Sequence, residues 1–362
     1  MKSDLNEKLL LFFFSKIKGL GSGTLWSLIK SYGSCQALYQ AARENDPLLG
    51  SRLTQLIQQP QRNKNFQTTV KKEFDQIQEN YLTILDDDYP RLLQKIYDPP
   101  LFLFYRGQTK ILKNQSLTVV GSRKITNYHQ SATEKIIQQL SPAPLTIASG
   151  LAIGIDALSH QAALKNNLPT VAVLGSGLSE TVLYPQTNIQ LARKIIENNG
   201  LLLSEHPSHT RPELHHFPRR NRILAGLSKI TIVISGALKS GTLITAQVAL
   251  DENREVYALP GNINMTLSLG PNSLIANGAN ILLSANSILE AYNFNNKTSS
   301  PKIKFNNLLE KKIYDLIQIE PLTLEQLSQK LKLSLMEINI SISQLEIQGI
   351  LKINQFNQIE II

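Results

Sequence analysis

Hydrophobic positions change their spacing twice along the chain. Over 5–80 they recur at helical intervals, with Ile17, Leu20, Leu25, Leu28 and Ile29 falling around the turn Gly19-Leu20-Gly21. From Tyr81 the texture is turn-rich, as in Asp86-Asp87-Asp88-Tyr89-Pro90 and Asp98-Pro99-Pro100. Apolar, β-branched runs then predict strands at 117–120, 145–148, 170–174, 201–203, 229–234, 255–259 and 280–283. Between most of them lie segments of about 10–15 residues with helical periodicity, as at 131–140 and 243–251. Strand, helix, strand at that spacing predicts crossover units and a parallel sheet covered on both faces. After the polar stretch 293–302, three helical patterns follow at 308–319, 324–331 and 334–348. Thr323 with Gln326 reads as a capping box, Gly349 closes the third helix, and 351–353 with 359–362 suit a small hairpin.

The predicted class is α/β. A Rossmann-like doubly wound central domain (81–292) lies between an N-terminal helical domain (1–80) and a C-terminal winged helix (303–362), the latter joined by the linker 293–302. The N-terminal pattern of helix, Gly-hydrophobe-Gly turn and helix fits a helix-hairpin-helix (SAM-like) unit, whose glycines let backbone N–H groups approach a phosphate. An ordinary αα-hairpin needing glycine for its turn fits equally well. No internal repeat is evident.

Composition narrows the class. Hydrophobic residues make up 42% and charged residues 18%, which suits a globular chain and excludes a mainly disordered one. The net charge is +9. It divides as 11 Lys+Arg against 7 Asp+Glu over 1–80, 19 against 14 over 81–297, and 7 against 7 over 298–362. An anionic partner is favoured, nucleic acid first, but the last segment has no basic excess to offer a phosphate backbone. Cys35 is the sole cysteine, so neither an intrachain disulfide nor a cysteine zinc cluster is possible. The apolar run Leu9 to Phe14 is too short to span a bilayer, and a cytoplasmic protein without a membrane association is expected.

In an open parallel sheet, ligands bind beyond the carboxyl ends of the strands. The loops there carry glycine, small hydroxyl residues and some cations: Gly121-Ser122-Arg123-Lys124, Ser149-Gly150 through Asp156, Gly175-Ser176-Gly177, and Ser235-Gly236 through Lys239-Ser240-Gly241-Thr242. Backbone N–H groups at a helix start, with Arg or Lys beside them, make an anion site. A dinucleotide fingerprint is disfavoured, because Glu180 stands where a third glycine should, and no Walker A loop is present. Asp156 reads as a helix N-cap, with a ligand role as the alternative.

The chain has 25 Lys and 12 Arg, yet Arg211, Arg219, Arg220 and Arg222 fall in one short stretch. Guanidinium grips phosphate with two hydrogen bonds and stacks on rings, which ammonium does not. Phe217, beside Pro218, is difficult to bury in regular structure, so aromatic and arginines together suit a single-stranded nucleic acid site. The competing reading has Phe217 filling a core gap over solvated arginines. Four of the six histidines lie within 206–216, but no His, Asp and Glu set completes a familiar ligand spacing around His206 and His209, and no metal is expected. GxSxG is absent, and no nucleophilic set stands out. The third C-terminal helix, 334–348, contains Glu337 and Glu346 and no Lys, Arg or His, which suits a protein contact better than a DNA reader.

Together these residues resemble the DNA processing protein A family (DprA, also called Smf). The resemblance runs through Val119-Val120-Gly121-Ser122-Arg123, Ser149-Gly150-Leu151-Ala152 with Gly154-Ile155-Asp156, Leu174-Gly175-Ser176-Gly177, Tyr184-Pro185 and Ser204-Glu205. It continues with Phe217-Pro218-Arg219-Arg220-Asn221-Arg222-Ile223, Ser240 to Ala246, Pro260-Gly261 and Gly270 to Ile275, covering most of 85–280. It implies a non-enzymatic, single-stranded-DNA-binding protein, often dimeric, that shields incoming strands and loads the RecA recombinase in natural transformation. DNA contact would fall to Gly121, Ser122, Arg123, Lys124 and Gly150, to Phe217, Arg219, Arg220, Asn221 and Arg222, and to Lys239, Ser240 and Gly241. No cofactor is implied. Two positions depart from the family pattern: Ile153 where Arg is usual, and Ser235 where Glu is usual. The runner-up is a nucleotide phosphoribohydrolase of the lysine-decarboxylase-like group, whose motif requires a Glu where this chain has Thr245. A duplex-binding transcription regulator is a third reading, disfavoured by the neutral last segment.

Overall fold

The computed structural model describes residues 2–294, 305–354 and 357–361. The chain divides into two compact units, Met1–Asn296 and Lys297–Ile362. Most of the expected linker 293–302 lies outside the described residues.

The first unit begins with five helices: α1 (Lys2–Ser15), α2 (Ser22–Tyr32), α3 (Cys35–Glu44), α4 (Ser51–Arg62) and α5 (Lys64–Asp75). Leu11, Phe12, Phe13 and Phe14 of α1 are all buried, so the C-terminal end of this helix is enclosed on every side. Phe12 meets Phe74 of α5 at 5.5 Å and Phe102 of the sheet at 5.6 Å between ring centroids. One continuous hydrophobic core therefore joins the helices to the sheet.

That sheet has nine strands: β1 (Tyr81–Thr83), β2 (Phe102–Gly107), β3 (Gln115–Val120), β4 (Leu145–Ser149), β5 (Thr170–Leu174), β6 (Leu201–Ser204), β7 (Ile230–Val233), β8 (Glu255–Ala258) and β9 (Asn280–Ile281). Their order is β1-β2-β6-β5-β4-β3-β7-β8-β9. β3 to β9 are parallel, with β3 paired in register to β4 on one side and β7 on the other. The central strands are buried throughout, as their unbroken apolar runs predict. The strands expected from the sequence are all parallel, and β1 and β2, which it did not place, add an antiparallel edge. These strands lie among Asp and Pro clusters that announce turns, although β2 falls in the unbroken apolar run Leu101 to Tyr105.

Crossover helices are α6 (Asn127–Leu140), α7 (Ile155–Lys165), α8 (Ile189–Glu197), α9 (His216–Leu227), α10 (Gly241–Asp251) and α11 (Thr266–Ala276), with α12 (Ala285–Ala291) closing the unit. The chain builds outward from β3 to β6, then crosses back to place β7 beside β3. The switch point of this doubly wound sheet thus lies between β3 and β7.

The second unit contains α13 (Leu308–Ile319), α14 (Leu324–Leu331), α15 (Leu335–Ile347) and a small antiparallel sheet, β10 (Leu322–Thr323), β12 (Gln358–Ile361) and β11 (Leu351–Ile353), in that order. Reciprocal capping boxes start α14 (Thr323 with Gln326) and α15 (Ser334 with Glu337). Ile313, Leu327, Ile338, Ile342 and Leu345 form its core. Among the described residues no helix is long and apolar enough to cross a membrane.

Candidate nucleic-acid interface

A cleft of about 470 Å³ opens at the switch point. Its walls come from the loop after β3, the loop leading into α7, the start of α9 and the start of α10. Of the residues singled out from sequence, Gly121, Ser122, Arg123, Lys124, Gly150, Phe217, Arg220, Asn221, Ser240 and Gly241 line it. Arg219, Arg222 and Lys239 do not.

Close packing fixes the first two loops. A Cβ on Gly121 would meet Ile155 at 2.5 Å, and one on Gly154 would meet the Ser122 carbonyl at 2.3 Å. The Ile155 N–H donates to that carbonyl, and the Ser122 N–H donates to Ser235 Oγ at 3.0 Å. Ser235, one of the two departures from the family pattern, is fully buried and ties the end of β7 to the cleft loop. Arg123 and Lys124 are left exposed at the rim.

Beneath the cleft sits a buried charged pair. Arg220 donates from Nη1 to the Gly150 carbonyl at 2.7 Å and to the Val173 carbonyl. Asp156 accepts from the Gly150 N–H at 3.2 Å. Both groups crowd Gly150 so closely that a Cβ there would meet Arg220 at 2.5 Å and Asp156 at 2.6 Å. Burial pushes the Asp156 carboxyl up to about 6, against the opposing pull of Arg220 and nearby hydrogen bonds. Burial likewise lowers Arg220, with Asp156 opposing. The N-cap expected at Asp156 belongs instead to Gly154, since Asp156 is already inside α7 and turns its carboxylate to the cleft floor.

The basic segment is a helix rather than a loop. Phe217 and Pro218 occupy the first turn of α9, where proline loses no helical hydrogen bond. Phe217 is half-buried, with its ring against Gly175 and 5.5 Å from the ring of Tyr184. Gly175, Ser176 and Gly177 are buried and do not line the cleft, so this glycine loop serves the approach of Phe217 and of the Ser208 backbone. At Gly175 a Cβ would meet the Phe217 ring at 2.8 Å.

The arginines of α9 divide by helical phase. Arg222 is buried, bound to Glu205 and, at 3.2 Å, to Asp98. Arg219 is exposed, 3.3 Å from Glu205. Asp98 also accepts from Ser22 Oγ at the start of α2, and the Tyr97 carbonyl lies where a Cβ on Gly23 would be. Asp98 thus sits beside the start of α2, held there through the Ser22 hydroxyl. Of the hairpin glycines, Gly19 takes a positive φ of +90° at the turn, and a Cβ on Gly21 would meet nothing within 4 Å.

Sequence reasoning did not assign Tyr184 or Ile244 to the cleft, whereas Ile153 was singled out as a departure from the family pattern. Tyr184 stands 42% exposed beside Phe217. Its sequence signal was the Tyr184-Pro185 pair of the family resemblance, which gave no role to the ring. Ile153 is 45% exposed at the rim, in the place where a cation is usual.

A Rossmann-like α/β unit with a ring- and cation-edged cleft beyond the carboxyl ends of its strands defines the class of protein. The chain belongs to the DNA recombination-mediator protein A family, whose model matches residues 80–293. It is 43% identical over 225 residues to DNA processing protein DprA of Streptococcus pneumoniae, a match spanning 62% of this chain and 78% of that protein. It is 38% identical over 284 residues to protein Smf of Synechocystis, spanning 76% and 70%. The crystal structure of the Streptococcus pneumoniae protein superposes with a TM-score of 0.66 at 35% identity, covering 78% of this chain and 97% of that one. DNA processing protein A from Helicobacter pylori, described for its unique single-stranded DNA binding mode, superposes with a TM-score of 0.53 at 28% identity, covering 59% and 96%.

Proposed function

We propose that this chain is a non-enzymatic, single-stranded-DNA-binding recombination mediator that shields incoming strands and loads the RecA recombinase onto them in natural transformation. The observation that carries this reading is the cleft, which Phe217 and Tyr184 line together with Arg123 and Lys124. Rings that stack any base and cations that neutralise phosphate give affinity with little sequence preference. In this reading Gly121, Ser122, Ser240 and Gly241 supply backbone and hydroxyl contacts to phosphate, and Arg220 backs the floor rather than the rim. The single-strand binding described for the Helicobacter pylori relative supports the assignment.

The second unit is read as a winged helix used for protein contact. Its α15 carries no cation and exposes Met336, Ile340 and Ile347, a surface unsuited to phosphate. A cytoplasmic homodimer is proposed, and the short edge strand β9 with exposed Ile281 and Leu283 is a candidate contact.

The phosphoribohydrolase reading finds little support. Thr245 occupies the position of the required acid, and the cleft carboxylate, Asp156, is engaged by Gly150. The test is recombinase loading on strands precoated with a single-strand-binding protein. The mediator reading expects this chain to accelerate filament formation. No acceleration, together with release of free base from a nucleoside monophosphate, would replace it with the enzyme.

A further inference from the structure

We propose that Glu213, His215 and His216 form a site for a divalent transition-metal ion of the Zn²⁺ class, at the start of α9. One ligand atom from each residue lies within 4.8 Å of the others. His215 Nδ1 is 3.4 Å from Glu213 Oε2, and the His216 N–H donates to the Glu213 carbonyl at 3.0 Å, which holds all three in a single turn. The independent pointer is His216. It is only 7% exposed, and its Nδ1 is buried without a hydrogen-bond partner. A buried imidazole nitrogen left unpaired is uncommon and calls for a ligand or partner. The ring of His206 packs against it at 4.0 Å between centroids and fixes its plane.

Two imidazoles and one carboxylate are the donor set of Zn²⁺ sites, whereas Ca²⁺ and Mg²⁺ take oxygen ligands. Tetrahedral coordination at roughly 2.0–2.1 Å would draw the donors about 3.3 Å apart. Glu213 and His215 are exposed and can rotate inward, while His216 stays fixed. Three protein donors leave one position for water. None of the three lines the cleft, so this site is separate from the proposed DNA contacts. The residue after His216 is Phe217, so a bound ion would hold the helical turn that presents this ring. The histidine spacing around His206 and His209 conceals the set, because the third donor is a glutamate brought round by the turn.

The test uses the untagged full-length chain, stripped of metal and titrated with Co²⁺ and then Zn²⁺. One equivalent of Co²⁺ should bind with the visible absorption of a four- or five-coordinate ion, and Zn²⁺ should displace it. His215→Ala and Glu213→Gln, both at exposed positions, should each weaken binding at least about tenfold while circular dichroism stays unchanged. His209→Ala, an exposed histidine of the same segment outside the set, should bind as the parent does. Absence of saturable uptake, or an equal loss in His209→Ala, would overturn the proposal.

Discussion

Arg123 and Arg222 each fall in a motif of the family resemblance, yet the structure gives them opposite work. Replacing Arg222 by alanine removes a side chain 11% exposed from between Glu205, 15% exposed, and Asp98, 37% exposed. Breaking a buried ion pair by removing one partner costs about 3–5 kcal/mol, since the other charge stays buried. Asp98 is more than a third exposed and its share is screened, so about 3 kcal/mol is expected for the whole change. At roughly 2 °C per kcal/mol for a large domain, Tm should fall by about 6 °C. The affinity of the folded protein for single-stranded DNA should not change. Arg123→Ala should behave in the reverse manner. Its Tm should hold, while the slope of log affinity against log salt should shrink by about 0.7, the value for one phosphate contact on a single strand. Thermal unfolding by circular dichroism and an anisotropy salt series read both quantities on the same samples. If Arg222→Ala keeps its Tm and loses slope as Arg123→Ala does, the division into structural and cleft arginines is wrong.

Three further outcomes are expected. Phe217→Ala should cost roughly 1–3 kcal/mol of single-strand affinity through lost base stacking, and full retention in a binding titration would return this ring to a packing role. Ile153→Arg should restore a rim cation and steepen the salt slope by up to about 0.7, and an unchanged slope would remove Ile153 from the DNA path. Asp156 has a folded-state pKa of about 6 against an ordinary 3.8, so the native state holds its proton more tightly than the unfolded chain. Its contribution to stability is therefore greatest below pH 3.8 and is lost as pH rises to about 6, an amount on the order of 3 kcal/mol. Denaturant unfolding of the parent should thus gain on Asp156→Asn as pH falls through that window, and parallel curves would contradict the burial argument.

What the sequence made legible follows from physics that acts locally. Strands buried on both faces read as unbroken apolar runs, so Thr170–Leu174 was evident to the residue. The capping box at Thr323 is a local hydrogen-bond pattern and was legible in the same way, whereas the one at Ser334 was not read. The clustering of arginine pointed to α9, but not to its helical phase, which buries Arg220 and Arg222 and leaves Arg219 in solvent. Glycine signalled close approach without naming what approaches. At Gly150 it is a buried guanidinium and carboxylate, and at Gly175 an aromatic ring. The antiparallel edge β1–β2 was hidden because its pairing partner, β6, lies about a hundred residues further on, where no local period records it.

The most direct test of the account is the anisotropy of a labelled oligo-dT strand set against a matched duplex, across a salt series. The cleft predicts tight single-strand binding that weakens as salt rises, with much weaker duplex binding. Equal affinity for the two forms, or binding indifferent to salt, would contradict the claim that this cleft holds single-stranded DNA.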